Sequence, residues 1–232
     1  GSCPCRSPGI GIHGAHLLKQ ATEDLTANGS CGPSSTSVQP VKPVFMSEPA
    51  IRKDQERKSA SARRAQLHAE NPDAGIRLAG HVRDAAKQLG LAGVPKTASV
   101  FWSMGTEIDT EPLLKVLHAM GHRTALPVVE KNGAPLVFRA WAPGEALVDG
   151  GFGTSIPTKD AEQVTPDVVF VPLLALDNEG FRLGYGGGFY DRTLEMLRAG
   201  ADDVIAIGVA FSGQRVDTVP RGPHDQPVDW IA

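Results

Sequence analysis

The spacing of hydrophobic positions predicts helices that alternate with strands along most of the chain. Apolar residues recur at helical spacing over residues 78–89 and again over 113–120. The second of these helices has Thr110 as a candidate N-cap and Pro112 in its first turn. Residues 52–70 are charged and rich in alanine, which favours another helix by propensity.

Runs of apolar residues between these helices predict buried strands. Two of the runs are continuous, as is typical of strands covered on both faces of a parallel sheet. A helix over residues 190–199, closed by Gly200, is predicted between them. The predicted strands are residues 99–103, 123–129, 136–141, 168–176 and 204–211.

This alternation predicts an α/β fold. We expect a single three-layer domain with a mostly parallel central sheet and helices on both faces. Ligands of such sheets gather beyond the carboxyl ends of the strands. A segment rich in glycine and proline, residues 143–157, is predicted to be a loop.

The chain changes character near Met46. Residues 1–45 are rich in Gly, Pro, Ser and Thr and lack a long periodic stretch, so we expect a disordered or non-native extension there. Residues 46–232 are predicted to form the folded domain, with Met46 as a native start. An alternative is a zinc site in the extension, although its spacing matches no standard zinc finger. Its ligands would be Cys3, Cys5, His13, His16 and Cys31.

Composition and charge narrow the classes of function. With 41% hydrophobic residues, 21% charged residues and a net charge of −3, the chain offers no broad basic surface for nucleic acid. It has no apolar run long enough to span a bilayer. All three cysteines lie in the first 31 residues, so the rest has neither a disulfide framework nor a thiol nucleophile. We expect a cytoplasmic monomer that acts on small molecules.

A glycine-rich loop carries the strongest chemical signal. Four of the five residues from 184 to 188 are glycines, and they lie between a predicted strand and a predicted helix. Such a loop lets several backbone amides converge on one anion at a helix N-terminus. Neither the P-loop nor the dinucleotide-binding pattern fits, since no lysine follows the glycines and Phe189 stands where the third glycine belongs. A tight turn with glycines for backbone reasons alone is the simpler alternative.

The sequence around this loop resembles a known signature. Residues 172–192 read Pro-Leu-Leu-Ala-Leu-Asp-x-x-Gly-x-Arg-Leu-Gly-x-Gly-Gly-Gly-Phe-Tyr-Asp-Arg, which resembles the 5-formyltetrahydrofolate cyclo-ligase family, also called methenyltetrahydrofolate synthetase. Lys53 and Arg57 resemble the family's Lys-x-x-x-Arg element. Residues 103–108 and 209–211, with Gln214, His224 and Asp225, resemble further parts of the family.

Two positions depart from the family pattern. Glu56 stands where the family has an aliphatic residue before the arginine, and this weakens the placement of Arg57 in the site. Residues 152–157 resemble the family's Phe-Gly-x-x-Glu-Pro element with Ile156 in place of the acid. Any polar contact of that glutamate must be absent here or supplied by another group.

The resemblance implies a reaction. The family closes 5-formyltetrahydrofolate into 5,10-methenyltetrahydrofolate at the expense of ATP, with Mg²⁺ as the metal. The γ-phosphoryl group moves to the formyl oxygen, the neighbouring folate nitrogen attacks the activated carbon, and phosphate leaves. Positioning and charge neutralisation carry such chemistry, so no protein nucleophile is needed and no catalytic group is assigned.

The resemblance also implies which residues bind each ligand. Asp191 and Asp225 would hold Mg²⁺, which prefers oxygen ligands. The implied ATP contacts are Lys53, Arg57, Arg182, Leu183, Gly184, Tyr185, Gly186, Gly187, Gly188, Phe189 and Tyr190. The implied folate contacts are Trp102, Glu107, Tyr185, Gly186, Gly187, Gly188 and Phe189. Simpler roles exist for some of these residues, namely a helix cap for Asp191, a core position for Trp102 and the surface for both cations.

Other functions remain open from the sequence. A non-catalytic module that binds a nucleotide or a sugar phosphate would keep the glycine loop without folate chemistry. A sugar-phosphate isomerase-like enzyme on a similar scaffold is a further alternative. It would need a base near the glycines, for which Asp177 and Glu179 are available.

Overall fold

The computed structural model describes residues 48–151, 153–200 and 203–232, and of residues 48–52 it describes only the backbone. The extension predicted over residues 1–45 lies outside the described residues, as do its cysteines and histidines. Phe152, the first residue of the element with the Ile156 departure, is outside them as well.

A seven-stranded sheet forms the centre of the fold, in the order β11-β10-β7-β1-β2-β3-β6. Two small hairpins, β4–β5 and β8–β9, lie outside this sheet. The strands are β1 (Thr97–Ser99), β2 (Arg123–Val128), β3 (Val137–Ala140), β4 (Leu147–Asp149), β5 (Ser155–Pro157), β6 (Gln163–Val164), β7 (Val168–Pro172), β8 (Ala175–Leu176), β9 (Arg182–Leu183), β10 (Ile205–Val209) and β11 (Trp230–Ile231).

The sheet is mostly parallel, as the sequence predicts. Strands β11, β10, β7, β1 and β2 pair in parallel. Only β3 runs against its neighbours, β2 and β6. The sequence pattern gave no sign of this reversal, because an apolar strand looks the same in either direction.

Helices cover both faces of the sheet, which confirms the predicted α/β architecture. The helices are α1 (Glu48–Glu70), α2 (Ala74–Asp84), α3 (Glu111–Ala119) and α4 (Phe189–Gly200). Alternate residues of β7 point to opposite faces, since Val168 and Phe170 pack with α2 and α3 whereas Val169 and Val171 pack with α4. None of the helices in the described ranges is long and apolar enough to cross a membrane.

Two helix predictions need correction. Helix α2 ends at Asp84, and residues 85–90 form turns that close at Gly90 with a φ of +66°. Thr110 occupies the N-cap position of α3, but its hydroxyl donates to the carbonyl of Phe101 at 2.6 Å instead of capping the helix. This bond anchors the chain that leaves β1.

Two strand predictions were also inaccurate. Strand β1 covers Thr97–Ser99 and not residues 99–103, because the chain leaves the sheet after Val100 to meet Thr110. The run 168–176 is two strands, β7 and β8. The break falls at Leu173 and Leu174, whose carbonyls accept hydrogen bonds from the side-chain amide of Gln214 at 3.0 Å each.

The predicted loop over residues 143–157 contains the β4–β5 hairpin. Its turn uses Gly151 and Gly153, both with a φ of +77°. The amide of Gly150 donates to the carbonyl of Thr154 at 2.9 Å and closes the hairpin. Glycine-rich turns between such short strands hid the pairing from the sequence pattern.

Candidate active site

A cavity of about 540 Å³ opens at the carboxyl ends of the central parallel strands. Its wall includes Pro172 at the end of β7, Phe101 after β1 and Pro127 near the end of β2. Strand β1 lies between β7 and β2, so the sequential order of the strands reverses at this point of the sheet. Ligand sites of open α/β sheets form in such positions.

Every residue that the resemblance assigned to a ligand lies on the wall of this cavity. These residues come from α1, the segment after β1, strand β9, the glycine loop, α4 and the segment before β11. They are Lys53, Arg57, Trp102, Glu107, Arg182, Leu183, Gly184, Tyr185, Gly186, Gly187, Gly188, Phe189, Tyr190, Asp191 and Asp225.

The glycine loop connects β9 to the start of α4. Gly186 has a φ of +98° and Gly188 a φ of +63°, conformations that other residues rarely adopt. Within the described residues, the amides of Gly186, Gly187 and Gly188 donate no hydrogen bond to another protein group. Together with the first turn of α4, they offer donors to an anion in the cavity.

Two cations of α1 line the cavity, and one of them, Arg57, contacts this loop. The Nε of Arg57 donates to the carbonyl of Gly184 at 3.2 Å. A Cβ added to Gly186 would lie 3.1 Å from the Cζ of Arg57, so the guanidinium lies directly against the glycine. The Nζ of Lys53 lies 3.4 Å from the Oδ2 of Asp225. Both cations therefore belong to the cavity wall and not to a plain solvent-facing surface.

Arg192 braces the loop from α4. Its Nη2 donates to the carbonyl of Gly187 at 2.7 Å, and its guanidinium lies 5.3 Å from the centroid of the Phe189 ring. A Cβ at Gly188 would lie 2.7 Å from Arg192 Nη1. The sequence placed Arg192 at the end of the signature but indicated no role for it.

Asp191 and Arg182 form a partly buried ion pair. The Nη2 of Arg182 donates to Asp191 Oδ1 at 2.8 Å, and its Nη1 donates to the carbonyl of Gln226. The amide of Gln226 also donates to Asp191 Oδ1, at 3.1 Å. Burial lowers the pKa of Arg182, and the charge of Asp191 opposes that shift. Arg182 thus holds Asp191 in place, beyond the phosphate role that the resemblance implies for it.

The donor set of Asp191 and Asp225 fits a hard cation. Asp225 Oδ2 accepts a hydrogen bond from the amide of Gly222 at 2.6 Å, besides its contact with Lys53. Each carboxylate uses one oxygen in this way, and the other oxygen has no hydrogen bond to the described residues. Two carboxylates with free oxygens suit Mg²⁺, which binds few protein ligands and completes its shell with phosphate and water. The described residues contain no cluster of three or more acidic, His or Cys side chains for a metal.

The buried acid Glu107 and the aromatic residues Trp102 and Tyr185 form the other end of the cavity. Trp102 is half-buried and packs edge to face on Trp141, with 5.5 Å between the ring centroids. Glu107 is only 4% exposed. Its Oε2 accepts a hydrogen bond from the amide of Met104 at 2.8 Å, and its Oε1 accepts one from the Tyr185 hydroxyl at 2.9 Å. This last bond joins the acid to the glycine loop.

Burial dominates the electrostatics of this end. It raises the pKa of Glu107, although hydrogen bonds from Met104 and Tyr185 and the charge of Arg64 oppose the shift. Burial and the negative charge of Glu107 raise the pKa of Tyr185 to about 12. Burial also raises the pKa of Tyr190. Both phenols are therefore hydrogen-bond donors at neutral pH.

Sequence reasoning missed the apolar and hydroxyl parts of the wall. They come from strand ends, from the segments after β1 and before β11, and from the β4–β5 hairpin. The rule that ligands lie beyond strand carboxyl ends gives a signal for Pro127 and Val129, but no pattern indicates the hairpin. These missed residues are Phe101, Met104, Pro127, Val129, Leu136, Gly150, Thr154, Ser155, Pro172 and Pro220.

The two acids that an isomerase would use as a base are occupied elsewhere. Asp177 is buried and accepts hydrogen bonds from the amides of Glu179, Phe181 and Val219 and from Arg221. Burial alone would raise the pKa of Asp177, but these bonds outweigh it and lower the pKa. Glu179 pairs with Arg221 at 2.6 Å. Neither acid lines the cavity, so neither of the two bases considered for the isomerase alternative lies at the glycines.

Proteins of known name are similar to this chain in sequence. The 5-formyltetrahydrofolate cyclo-ligase of Escherichia coli (strain K12) is 37% identical over 140 residues, which cover 58% of this chain and 76% of that protein. The protein of the same name from Mycolicibacterium smegmatis is 37% identical over 144 residues, covering 59% of this chain and 72% of that protein.

Known proteins also share this fold. The NMR structure of Aquifex aeolicus 5,10-methenyltetrahydrofolate synthetase superposes with a TM-score of 0.58 at 30% identity, covering 77% of this chain and 88% of that one. A synthetase structure from Mycoplasma pneumoniae, 20% identical with a TM-score of 0.55, shares the fold.

The sequence model of one family spans the whole cavity-bearing region. It matches residues 49–232, described as the 5-formyltetrahydrofolate cyclo-ligase family, and so includes both Lys53 at one side of the cavity and Asp225 at the other. The relatives that carry this name are ligases, and their similarity extends over most of their own length. The chain therefore belongs to the 5-formyltetrahydrofolate cyclo-ligase family and is an enzyme of the ligase class.

Proposed function

We propose that this enzyme uses ATP and Mg²⁺ to close 5-formyltetrahydrofolate into 5,10-methenyltetrahydrofolate, with release of ADP and phosphate. The observation that carries the proposal is one cavity with two chemically different ends. One end has free amides, cations and two carboxylates, and the other has an apolar wall with a single buried acid. Tyr185 of the glycine loop donates its hydroxyl to that acid and so connects the two ends.

The triphosphate is proposed to bind at the glycine loop. The amides of residues 186–188 and the N-terminus of α4 provide donors and a favourable dipole for its terminal phosphates. Lys53 and Arg57 add positive charge from the opposite side. Asp191 and Asp225 would hold Mg²⁺, which neutralises charge on the phosphates when it is bound.

The folate is proposed to bind at the end formed by Trp102 and Glu107. The indole supplies a flat apolar surface for the pterin ring. An ionised Glu107 accepts hydrogen bonds from pterin N–H groups. These hydrogen bonds select a ring that carries donors at the edge facing Glu107. Residues 185–189 face both ligands, so that the formyl oxygen lies close to the γ-phosphate.

The proposed reaction needs no covalent bond to the protein. The γ-phosphoryl group moves from ATP to the formyl oxygen, which breaks its bond to the bridging oxygen and leaves ADP. The neighbouring folate nitrogen then attacks the formyl carbon. The carbon–oxygen bond breaks, phosphate leaves with that oxygen, and the nitrogen loses its proton. The residues of the cavity act by holding the two substrates together and by neutralising charge on the transferred group.

The direct test is an absorbance assay. The purified chain is mixed with 5-formyltetrahydrofolate, MgCl₂ and ATP, and methenyl absorbance is followed together with ADP release. We expect both signals in a ratio of one to one, and neither without ATP or after chelation of the metal. ATP-independent absorbance, or no absorbance with a folded protein, would reject the proposal.

We also propose that the enzyme acts as a cytoplasmic monomer on small molecules alone. The net charge of −3 supports the absence of a nucleic-acid substrate. Size-exclusion chromatography with light scattering at assay concentrations tests the monomer, and fractionation of the source cells tests the location. A stable dimer would contradict the first part.

A further inference from the structure

Arg64 lies behind the cavity and is not assigned to any ligand. It is 5% exposed, although it belongs to the highly charged helix α1 and its neighbour Arg63 is exposed. Long charged side chains are rarely buried unless they are paired. The burial of one arginine on this helix therefore requires a specific partner.

That partner is Glu107. Arg64 Nη1 lies 3.5 Å from Glu107 Oε1, and Arg64 Nε donates to Thr106 Oγ1 at 3.1 Å. The guanidinium carbon also lies 5.4 Å from the centroid of the Tyr185 ring, whose hydroxyl donates to the same Oε1. One arginine thus contacts the acid, the residue before it in the chain and the tyrosine of the glycine loop.

The ion pair is close but is not a hydrogen bond. Arg64 Nη1 is buried and has no hydrogen-bond partner among the described residues. A small cavity of about 10 Å³ lies beside Arg64 and Glu107, which is room for about one water molecule. The cation is therefore held by packing and by Thr106, and it acts on Glu107 through its charge.

We infer that Arg64 is a positioning residue for the folate substrate. It fixes the Glu107 carboxylate at the pterin end and, by its contact with Tyr185, joins that carboxylate to the glycine loop. The inference rests on the proposed function, because it assumes that Glu107 receives the pterin. It adds a residue outside the wall of the main cavity to the determinants of folate affinity.

The chemistry of a buried acid explains why a cation is needed there. Burial favours the protonated acid, and a protonated Glu107 presents a donor where the pterin N–H groups need an acceptor. The titratable groups that face this carboxylate are Arg64, Tyr185 and Tyr190. Both phenols are neutral donors, so Arg64 is the positive charge that opposes protonation.

The test compares Arg64→Met with the matched control Arg63→Met. Loss of a charged partner predicts a folate KM raised by roughly tenfold or more in Arg64→Met, with the ATP KM close to wild type. Arg63→Met, on the exposed side of the same helix, is expected to leave both KM values unchanged. Arg64→Lys keeps the charge and should restore part of the folate affinity.

A pH series separates positioning from a structural role. In Arg64→Met, folate affinity should begin to fall at a higher pH than in wild type, because Glu107 then protonates more easily. Glu107→Gln removes that titration, so Arg64→Met should add little in this background. Additive effects of the two substitutions, or equal rises of the folate and ATP KM values, would overturn the inference.

The outcome is distinct from failure of the proposed function. If wild type forms no methenyl product, the proposed function itself is wrong. If wild type is active and Arg64→Met has a wild-type folate KM, only the role of Arg64 is wrong. Should Arg64→Met fail to fold, Arg64→Gln, which also removes the charge, carries the same comparison. A wild-type folate KM in that variant, or a wild-type pH profile in Glu107→Gln, would refute the inference.

Discussion

The contact between Gly186 and Arg57 gives the sharpest test of the glycine loop. Gly186 has a φ of +98°, and a Cβ at this position would lie 3.1 Å from Arg57 Cζ and 3.2 Å from its Nη2. Gly186→Ala therefore introduces two separate perturbations, one in the backbone and one in the position of a cation. The proposed phosphate site needs the native backbone conformation of Gly186 and the native position of the Arg57 guanidinium.

The two perturbations have different magnitudes and different targets. The left-handed backbone costs about 1–2 kcal/mol for alanine. A stiffer unfolded chain returns roughly 0.4–1 kcal/mol, so the free energy of unfolding should fall by about 1 kcal/mol. The crowded guanidinium must also move, which weakens its 3.2 Å bond to the carbonyl of Gly184. A hydrogen bond to a charged group is worth about 1.5–3 kcal/mol, which corresponds to roughly tenfold or more in ATP affinity.

Gly121 offers a matched control. It has a φ of +87°, but an added Cβ meets nothing within 4 Å, and it lies outside the cavity wall. Gly121→Ala should lose a similar free energy of unfolding in a urea titration and keep the wild-type ATP KM. Gly186→Ala should lose a similar free energy of unfolding and should also have a raised ATP KM. Its folate KM should change less than its ATP KM.

Equal ATP KM values for the two variants would refute this reasoning. They would mean that the guanidinium of Arg57 tolerates the displacement and that its position does not control nucleotide binding. A Gly186→Ala variant with wild-type stability would show instead that the loop leaves the left-handed conformation without cost.

Three further predictions follow from the site and the fold. Asp191→Asn keeps an acceptor for Arg182 and Gln226 but removes a charge from the proposed metal site. The Mg²⁺ concentration for half-maximal activity should therefore rise by roughly tenfold or more, and an unchanged Mg²⁺ titration would reject the metal role. Because burial raises the pKa of Glu107, folate affinity should be full above that pKa and be lost as the pH falls through it, at a higher pH than for an ordinary glutamate of about 4.3. Tryptophan fluorescence during folate titration measures this loss, and Glu107→Gln should make the profile flat. Gly180 has a φ of +83°, and an added Cβ would lie only 2.4 Å from the carbonyl oxygen of Val228. Gly180→Ala should therefore lower the free energy of unfolding by about 2–4 kcal/mol, measured by urea titration. A loss smaller than that of Gly121→Ala would contradict the clash.

Local sequence patterns located the central elements and the glycine loop. The apolar run of β7 predicts a strand covered on both faces, and all of Val168, Val169, Phe170 and Val171 are buried. The four glycines of residues 184–188 permit left-handed backbone, which two of them, Gly186 and Gly188, adopt. These features depend on neighbouring residues only, since strand burial and positive φ are properties of short segments.

Patterns were less accurate where a distant group ends an element. The run 168–176 has the pattern of one strand, yet the carbonyls of Leu173 and Leu174 accept hydrogen bonds from the side chain of Gln214 and not from a neighbouring strand of the central sheet. Thr110 resembles a helix cap, but Phe101 lies within reach and takes its hydroxyl. In both places a tertiary hydrogen bond competes with a local one and prevails.

The sequence by itself determined the α/β class, the buried strands and, through its resemblance to a family, the charged residues and the glycine loop of the cavity wall. Only the tertiary structure decided the pairings within that cavity, such as Lys53 with Asp225 and Tyr185 with Glu107. It also decided that Arg64 is buried while Arg63 is exposed. The physical reason is that the order of strands in the sheet decides which elements lie together, and so decides which side chains are buried and which charges pair. A local sequence pattern cannot show this, because the residues that pair are far apart in the chain.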